Sequence, residues 1–299
     1  MRFALCPPYG STFCDWSMYC PSATGARVLS SRTIQVYGND ATIFGFPDDD
    51  YFRDAHIHAA NNRIFNETAA DLPQHAVVLD GGANIGLMTL TAARAAPAIG
   101  YILAVEPSPT ARTCLHRNLA ANHIDEHVTV VPAALADRVG AVRLNECTTL
   151  AHSHIGRTGT PVTASTIDRV VKRADVKRLD LIKLDIEGYE FDALRGATKT
   201  IDRFAPTFIV EFSSFAICAR RRESPVLFLE YLLATFKEFT YRQPDGIERC
   251  VKSTGQLLDF LYQNMSWSIV NDIRCRTPKC SSRRGYSRLS GRLAALLFR

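Results

Sequence analysis

The chain has 299 residues, 35 Lys and Arg against 30 Asp and Glu, and a 46% apolar, 22% charged composition. These are ordinary values for a soluble globular protein, and they exclude disordered and fibrous classes. Charge is uneven. Residues 274 to 299 hold eight Arg or Lys and no Asp or Glu, which leaves the preceding 273 residues at net −3. A short basic extension of this kind is a solvated tail more often than a nucleic-acid or membrane contact.

The N-terminus reaches Pro7 and Pro8 before an apolar signal core can form, which predicts a cytoplasmic protein. The longest uncharged stretch, Gly81 to Ala93, is 13 residues long, short of the roughly 20 apolar residues that a membrane helix needs. Nine cysteines form no CxxC pair, so a zinc ribbon is not expected, and Cys6, Cys14 and Cys20 read as reduced thiols.

Residues 1–75 are rich in Cys, Pro and Gly and read as an accessory cap. A hairpin is expected there, from Thr33 to Tyr37 and Ala41 to Phe46 about an Asn39-Asp40 turn. From Ala76 the pattern becomes short apolar runs alternating with helical stretches, which predicts parallel strands with crossover helices in a domain over 76–273. The strand runs are Val77 to Asp80, Tyr101 to Glu106, Val128 to Pro132, Leu179 to Asp185 and Phe208 to Phe212. Helices are expected over Ile85 to Ala96, over Thr110 to Asn122 with Ser108 as cap, and from Ser224-Pro225 to Phe236. An antiparallel hairpin follows, Phe239 to Arg242 and Ile247 to Lys252, and a basic tail over 274–299.

The strongest local motif is Asp80-Gly81-Gly82-Ala83-Asn84-Ile85-Gly86, where a strand stops and a helix starts. Glycine there lets the backbone approach a ligand, and a helix N-terminus offers unpaired N–H groups. As the G-x-G-x-x-G of a nicotinamide site it fails at Ala83; as D-x-G-x-N-x-G it fits the first loop of S-adenosylmethionine (SAM) methyltransferases. Glu106 ends the next strand, 20 residues after Gly86, and a carboxylate there can accept both hydroxyls of a ribose in either cofactor.

The fourth strand decides between them. In Lys183-Leu184-Asp185-Ile186-Glu187-Gly188-Tyr189-Glu190-Phe191-Asp192 the carboxylates gather at a strand's carboxyl end, where open α/β sheets bind ligands. In an extended segment Asp185 and Glu187 face one cleft. Glu190 and Asp192 read as the solvated first turn of a helix.

These blocks, with Val105-Glu106-Pro107, Asn118 to Asn122 and Thr166-Ile167-Asp168, resemble the FkbM-type SAM-dependent methyltransferases over roughly residues 76 to 215. The resemblance implies a class I methyltransferase sheet, doubly wound and Rossmann-like, mostly parallel with the C-terminal hairpin antiparallel. It implies O-methylation of a sugar or natural-product hydroxyl, with Asp80, Gly81, Gly82, Asn84, Gly86, Glu106 and Asp185 lining the cofactor site. Asp185 and Glu187 are the catalytic candidates, Glu187 as proton acceptor. No metal is expected, since a third oxygen ligand for Mg²⁺ is not evident.

Base methylation of nucleic acid is disfavoured, because neither an Asn/Asp-Pro-Pro-Tyr/Phe block nor a Pro-Cys nucleophile follows the fourth strand. The pairs His56-x-His58 and His152-Ser153-His154 are weak metal evidence without a third ligand; His152 or His154 is a secondary base candidate, and Arg220-Arg221-Arg222 is a candidate anion clamp. The competing reading is a non-catalytic, methyltransferase-like protein that docks a partner through its tail.

Overall fold

The computed structural model describes residues 27–95, 99–243, 245–266 and 270–277. Cys6, Cys14, Cys20 and the tail beyond Thr277 lie outside the described residues. The chain opens with a hairpin, β1 (Ser30–Val36) and β2 (Asn39–Gly45), and three short helices, α1 (Asp50–Arg53), α2 (Ala55–Asn61) and α3 (Arg63–Ala70). Alternation follows: β3 (Ala76–Gly81), α4 (Leu87–Ala95), β4 (Ile99–Val105), α5 (Pro109–Ala121) and β5 (Val128–Val131). An inserted region carries β6 (Ala134–Leu135), β7 (Gly140–Asn145), β8 (His154–Gly156) and β9 (Thr160–Ser165). Next are α6 (Ile167–Arg173), β10 (Leu181–Leu184), α7 (Glu190–Arg195), α8 (Thr198–Phe204), β11 (Thr207–Phe212) and α9 (Ser214–Ala216). The chain ends in α10 (Pro225–Phe236), β12 (Phe239–Arg242), β13 (Glu248–Val251), α11 (Thr254–Ser266) and β14 (Asn271–Arg276).

The main sheet runs β13-β12-β14-β11-β10-β3-β4-β5. Strands β5, β4, β3, β10 and β11 are mutually parallel, and β14 enters antiparallel between β11 and β12. β3 and β10 are buried at every position, as their unbroken apolar runs require of central strands covered on both faces. Alternate side chains feed two cores. Leu79, Leu103, Ile182 and Val210 pack with the helices after β9. Val78, Ile102, Leu181 and Ile209 pack on the other face with α4 and the N-terminal Ile34, Ile43, Phe52 and Phe65. The N-terminal segment is thus a layer of this face. Chain order reverses between β3 and β10, which opens a crevice at their carboxyl ends.

The expected five strands, three helices and two hairpins are present, and Ser108 caps α5 by accepting from Ala111 N at 3.0 Å. Three differences have physical causes. The first hairpin turns at Tyr37-Gly38 rather than Asn39-Asp40, because both residues take positive φ, 52° and 74°, as a primed two-residue turn demands. Arg274, Cys275 and Arg276 belong to β14, so the basic tail starts later than residue 274. The charged residues of this strand alternate with Ile273 and Cys275, both fully buried, and Arg274 pairs with Glu248 across the sheet. The four-stranded sheet β6-β9-β7-β8 was not anticipated. Among the described residues no helix is long and apolar enough to cross a membrane.

Candidate active site

The crevice is an open cleft, with about 770 Å³ of empty space including its mouth. Its wall includes Gly82, Asn84, Glu106, Asp185 and Glu187 of the predicted residues; Asp80, Gly81 and Gly86 stand behind it. Gly82 and Ala83 donate their N–H groups to Val105 O at 2.9 and 3.1 Å, which folds the loop over the end of β4. A Cβ on Gly82 would lie 1.9 Å from Asp185 O, and φ there is +82°. The molecule's own main chain, rather than a ligand's approach, therefore demands glycine at this position. Gly86 sits at φ +91°, a backbone that side-chain-bearing residues rarely adopt, and a Cβ there would also have to push aside the Leu115 side chain of α5, whose Cδ1 would lie 2.5 Å away.

Asn84 adopts a left-handed backbone at φ +51°. Its N–H donates to Glu106 Oε2 at 2.8 Å, and Ser108 N donates to Oε1 at 2.7 Å. Each carboxylate oxygen keeps a further lone pair, so a ribose diol can still be accepted. Burial pushes Glu106 up to about 7 against these two N–H bonds. Asn84 Oδ1 is buried in the cleft wall without a partner among the described residues, an acceptor placed for a ligand's donor. With Glu106 beside it, the donor set fits a nucleoside-bearing cofactor.

At the base of the wall, Lys183 is buried and its ammonium donates to Asp185 Oδ2 at 2.8 Å. Burial alone would lower its pKa, but Asp185, Asp80 and Asp272 together raise it and keep it charged. Asp80 is fully buried and accepts from Thr89 Oγ1 at 2.6 Å, so it acts on the site through Lys183.

The extended-segment argument for Asp185 and Glu187 does not hold, because β10 ends at Leu184 and Glu187 and Gly188 turn at φ +59° and +100°. The turn nevertheless brings both into one cluster, joined by Glu211 of β11. Oxygens of the three carboxylates lie within 4.8 Å of one another. Glu211 is the third oxygen donor that the sequence did not reveal, and the trio could hold a divalent cation. Glu187 is ion-paired with Arg220; burial, resisted by Arg220 and aided by Asp185, pushes it up to about 7.

Glu190 and Asp192 are not solvated as expected. Glu190 Oε1 accepts from Ile186 N at 2.8 Å and Gly188 N at 3.2 Å, closing the turn, and Asp192 is held between Arg195 and Arg221. Arg220 and Arg221 are thereby committed to carboxylates, which removes them as an anion clamp. His154 lines the cleft, and burial, reinforced by Arg220, holds it and His152 below the usual histidine range. His58 stacks on Tyr51, but neither it nor His56 lines the cleft.

Asn118 and Asn122 are structural. Asn118 exchanges hydrogen bonds with Phe44 N and O at 2.5 and 3.1 Å, and Asn122 with Thr42 N and O at 3.2 and 2.8 Å. Their i, i+4 spacing on α5 matches alternate residues of β2. Tyr51 is the cleft residue that motif reading missed, since it comes from the N-terminal segment.

Solved structures to which the chain shows similarity include a methyltransferase FkbM from Methylobacillus flagellatus, 19% identical over 59% of this chain, with a TM-score of 0.40; the chain covers only 42% of that protein. Another is the O-methyltransferase TomG from Streptomyces achromogenes, 12% identical, covering 75% of this chain and 87% of its own, with a TM-score of 0.43. The methyltransferase sdnD of Sordaria araneosa is 28% identical over 177 residues, which is 48% of this chain and 68% of that protein. The family model for the methyltransferase FkbM domain matches residues 80–243, the stretch that runs from the glycine loop through the carboxylate cluster to β12. With that match over more than half of its length, and the motif residues gathered at the crevice of a mostly parallel sheet, the chain belongs to the FkbM methyltransferase domain family.

Proposed function

We propose that the cleft binds SAM and that the chain is an O-methyltransferase acting on a hydroxyl of a small molecule, a sugar or natural product. The observation that carries this reading is the meeting, in one cleft, of the Gly82–Asn84 loop and Glu106 with Asp185 and Glu187. Gly82, Asn84, Glu106 and Asp185 would hold the cofactor directly. Asp80 would support it through Lys183, and Gly81 and Gly86 through the shape of the loop. When bound, the cofactor supplies an electrophilic methyl group on a sulfonium.

The chain's own contribution is positioning and proton removal. Asp185, fixed by Lys183, orients the acceptor. Glu187, raised to about 7, is poised to take the hydroxyl proton near neutral pH, an effect typically worth about 10²–10⁴-fold. Arg220 keeps its carboxylate in place.

Calorimetry should show S-adenosylhomocysteine (SAH) binding and no NADH binding. Glu187→Gln should keep SAH affinity and lower turnover at least tenfold; full activity would remove Glu187 from the mechanism and turn attention to His154. A second reading rests on Glu211: Asp185, Glu187 and Glu211 hold a divalent cation that activates the hydroxyl as a Lewis acid. Strong inhibition by EDTA favours that reading, and indifference favours Glu187 as base.

A further inference from the structure

Tyr51 reaches the cleft from outside the stretch that matches the family, and two neighbours fix its place. Asp49, fully buried, accepts from Tyr51 N at 3.0 Å and from Leu150 N at 3.3 Å. One carboxylate thus ties the N-terminal segment to the loop whose Leu150, Ser153 and His154 also line the cleft. His58, on the next helix, stacks on the Tyr51 ring with centroids 4.5 Å apart and planes at 29°. Burial raises the phenol's pKa, with Asp185, Asp80 and Asp49 adding to the effect and Lys183 opposing it. The group is therefore a neutral hydroxyl, able to donate and accept a hydrogen bond but not to serve as a base.

The charges of the cleft define what can lie against that ring. Lys183 is the single Lys or Arg among the described residues of the wall, and its ammonium is engaged by Asp185. Arg220 behind it is tied to Glu187, and Arg221 to Asp192 and Glu223. Facing them are Glu106, Asp185 and Glu187, with Glu211 adjoining. An anionic acceptor would give up its hydration with no unpaired cation among the described residues of the wall to receive it. An uncharged hydroxylated ring meets the Tyr51 ring and the neutral polar groups of Tyr51, Ser153 and His154.

We propose that Tyr51 is a specificity-determining residue of the acceptor pocket, offering ring and hydroxyl to an uncharged, hydroxyl-bearing ring, and that acceptors carrying carboxylate or phosphate are excluded. The proposal rests on the methyl-transfer reading.

The test is saturation-transfer NMR on the full chain with SAH added, using two matched probe pairs: methyl α-glucopyranoside against methyl α-glucopyranosiduronate, and catechol against 3,4-dihydroxybenzoate. The neutral member of at least one pair should bind at least tenfold more tightly than its acid. Tyr51→Ala should weaken that binding at least tenfold. Tyr51→Phe, which keeps the ring and the fold, should weaken it several-fold. SAH affinity, measured by calorimetry, should be unchanged in both variants. Equal or tighter binding of the acids, no binding of either neutral probe, or neutral binding that both variants leave intact overturns the proposal. Failure of SAH to bind the unaltered chain overturns the cofactor reading instead, and calorimetry reports it separately.

Discussion

Gly82 and Gly246 share the same φ, +82°, in opposite surroundings. A Cβ on Gly82 would sit 1.9 Å from Asp185 O, whereas one on Gly246 would meet nothing within 4 Å. Replacing each by alanine therefore separates the cost of a left-handed backbone from the cost of crowding. The backbone term is roughly 1–2 kcal/mol, and Gly246→Ala should lose no more than that. At Gly82 the contact must also open to about 3 Å, displacing the Asp185 main chain by roughly 1 Å; overpacking of this kind adds about 1–3 kcal/mol. Gly82→Ala should then cost about 2–5 kcal/mol in all. Because Asp185 N donates to Gly81 O at 3.1 Å, the displacement passes to the Lys183–Asp185 pair and the cleft wall. Urea unfolding followed by circular dichroism reads the stability, and calorimetry reads SAH affinity. That affinity should fall at least tenfold for Gly82→Ala and stay unchanged for Gly246→Ala. Equal stability of the two variants, with SAH binding retained in both, would refute the claim that the Asp185 carbonyl dictates the loop.

Asp192→Asn strips one carboxylate from between Arg195 and Arg221 and should destabilise the fold by about 2–3 kcal/mol in urea titration, solvent access to the partly exposed guanidinium groups limiting the loss. Asp49 is held at about 6 by burial against 3.8 in an open chain, so the folded state binds more protons between those values. Its contribution is complete below pH 3.8 and is lost as pH rises through 6, about 3 kcal/mol; Asp49→Asn should flatten that part of the stability profile. Deleting residues 274–299 removes half of β14, including the fully buried Cys275, and should abolish soluble expression, whereas deleting 278–299 leaves every described strand whole and should keep the thermal midpoint. A test of the tail as a partner-docking element therefore needs the shorter deletion.

The sequence is most legible where the environment is simple. β3, β4, β10 and β11 read directly because strands covered on both faces need unbroken apolar runs, and the loop and Glu106 read from their spacing along such strands. Legibility fails where a residue's surroundings come from distant chain. Glu211 lies inside a buried strand, and what brackets it, Asp272 beside it on β14 and the Glu187 turn, has no local signature. Glu190 and Asp192 have the composition of a solvated helix start, yet the turn amides claim one and the two arginines the other. β14 alternates charge with buried Ile273 and Cys275, so its arginines merge visually with the tail. Tyr51 carries no motif, and only the shared anchor Asp49 shows why it belongs to the cleft.

The two asparagine amides on α5 give the N-terminal hairpin a dependence in time. They stand in for a neighbouring strand along the outer edge of β2, supplying donors and acceptors that an edge strand otherwise leaves open to self-association. The partners are 74 to 80 residues apart in the chain. At about 5–20 residues per second of synthesis, the hairpin must wait several seconds before its edge can be sealed. During that interval the edge of β2 is open to pairing with another copy. After α5 docks, the amide hydrogens of Thr42 and Phe44 should exchange as slowly as those of an interior strand.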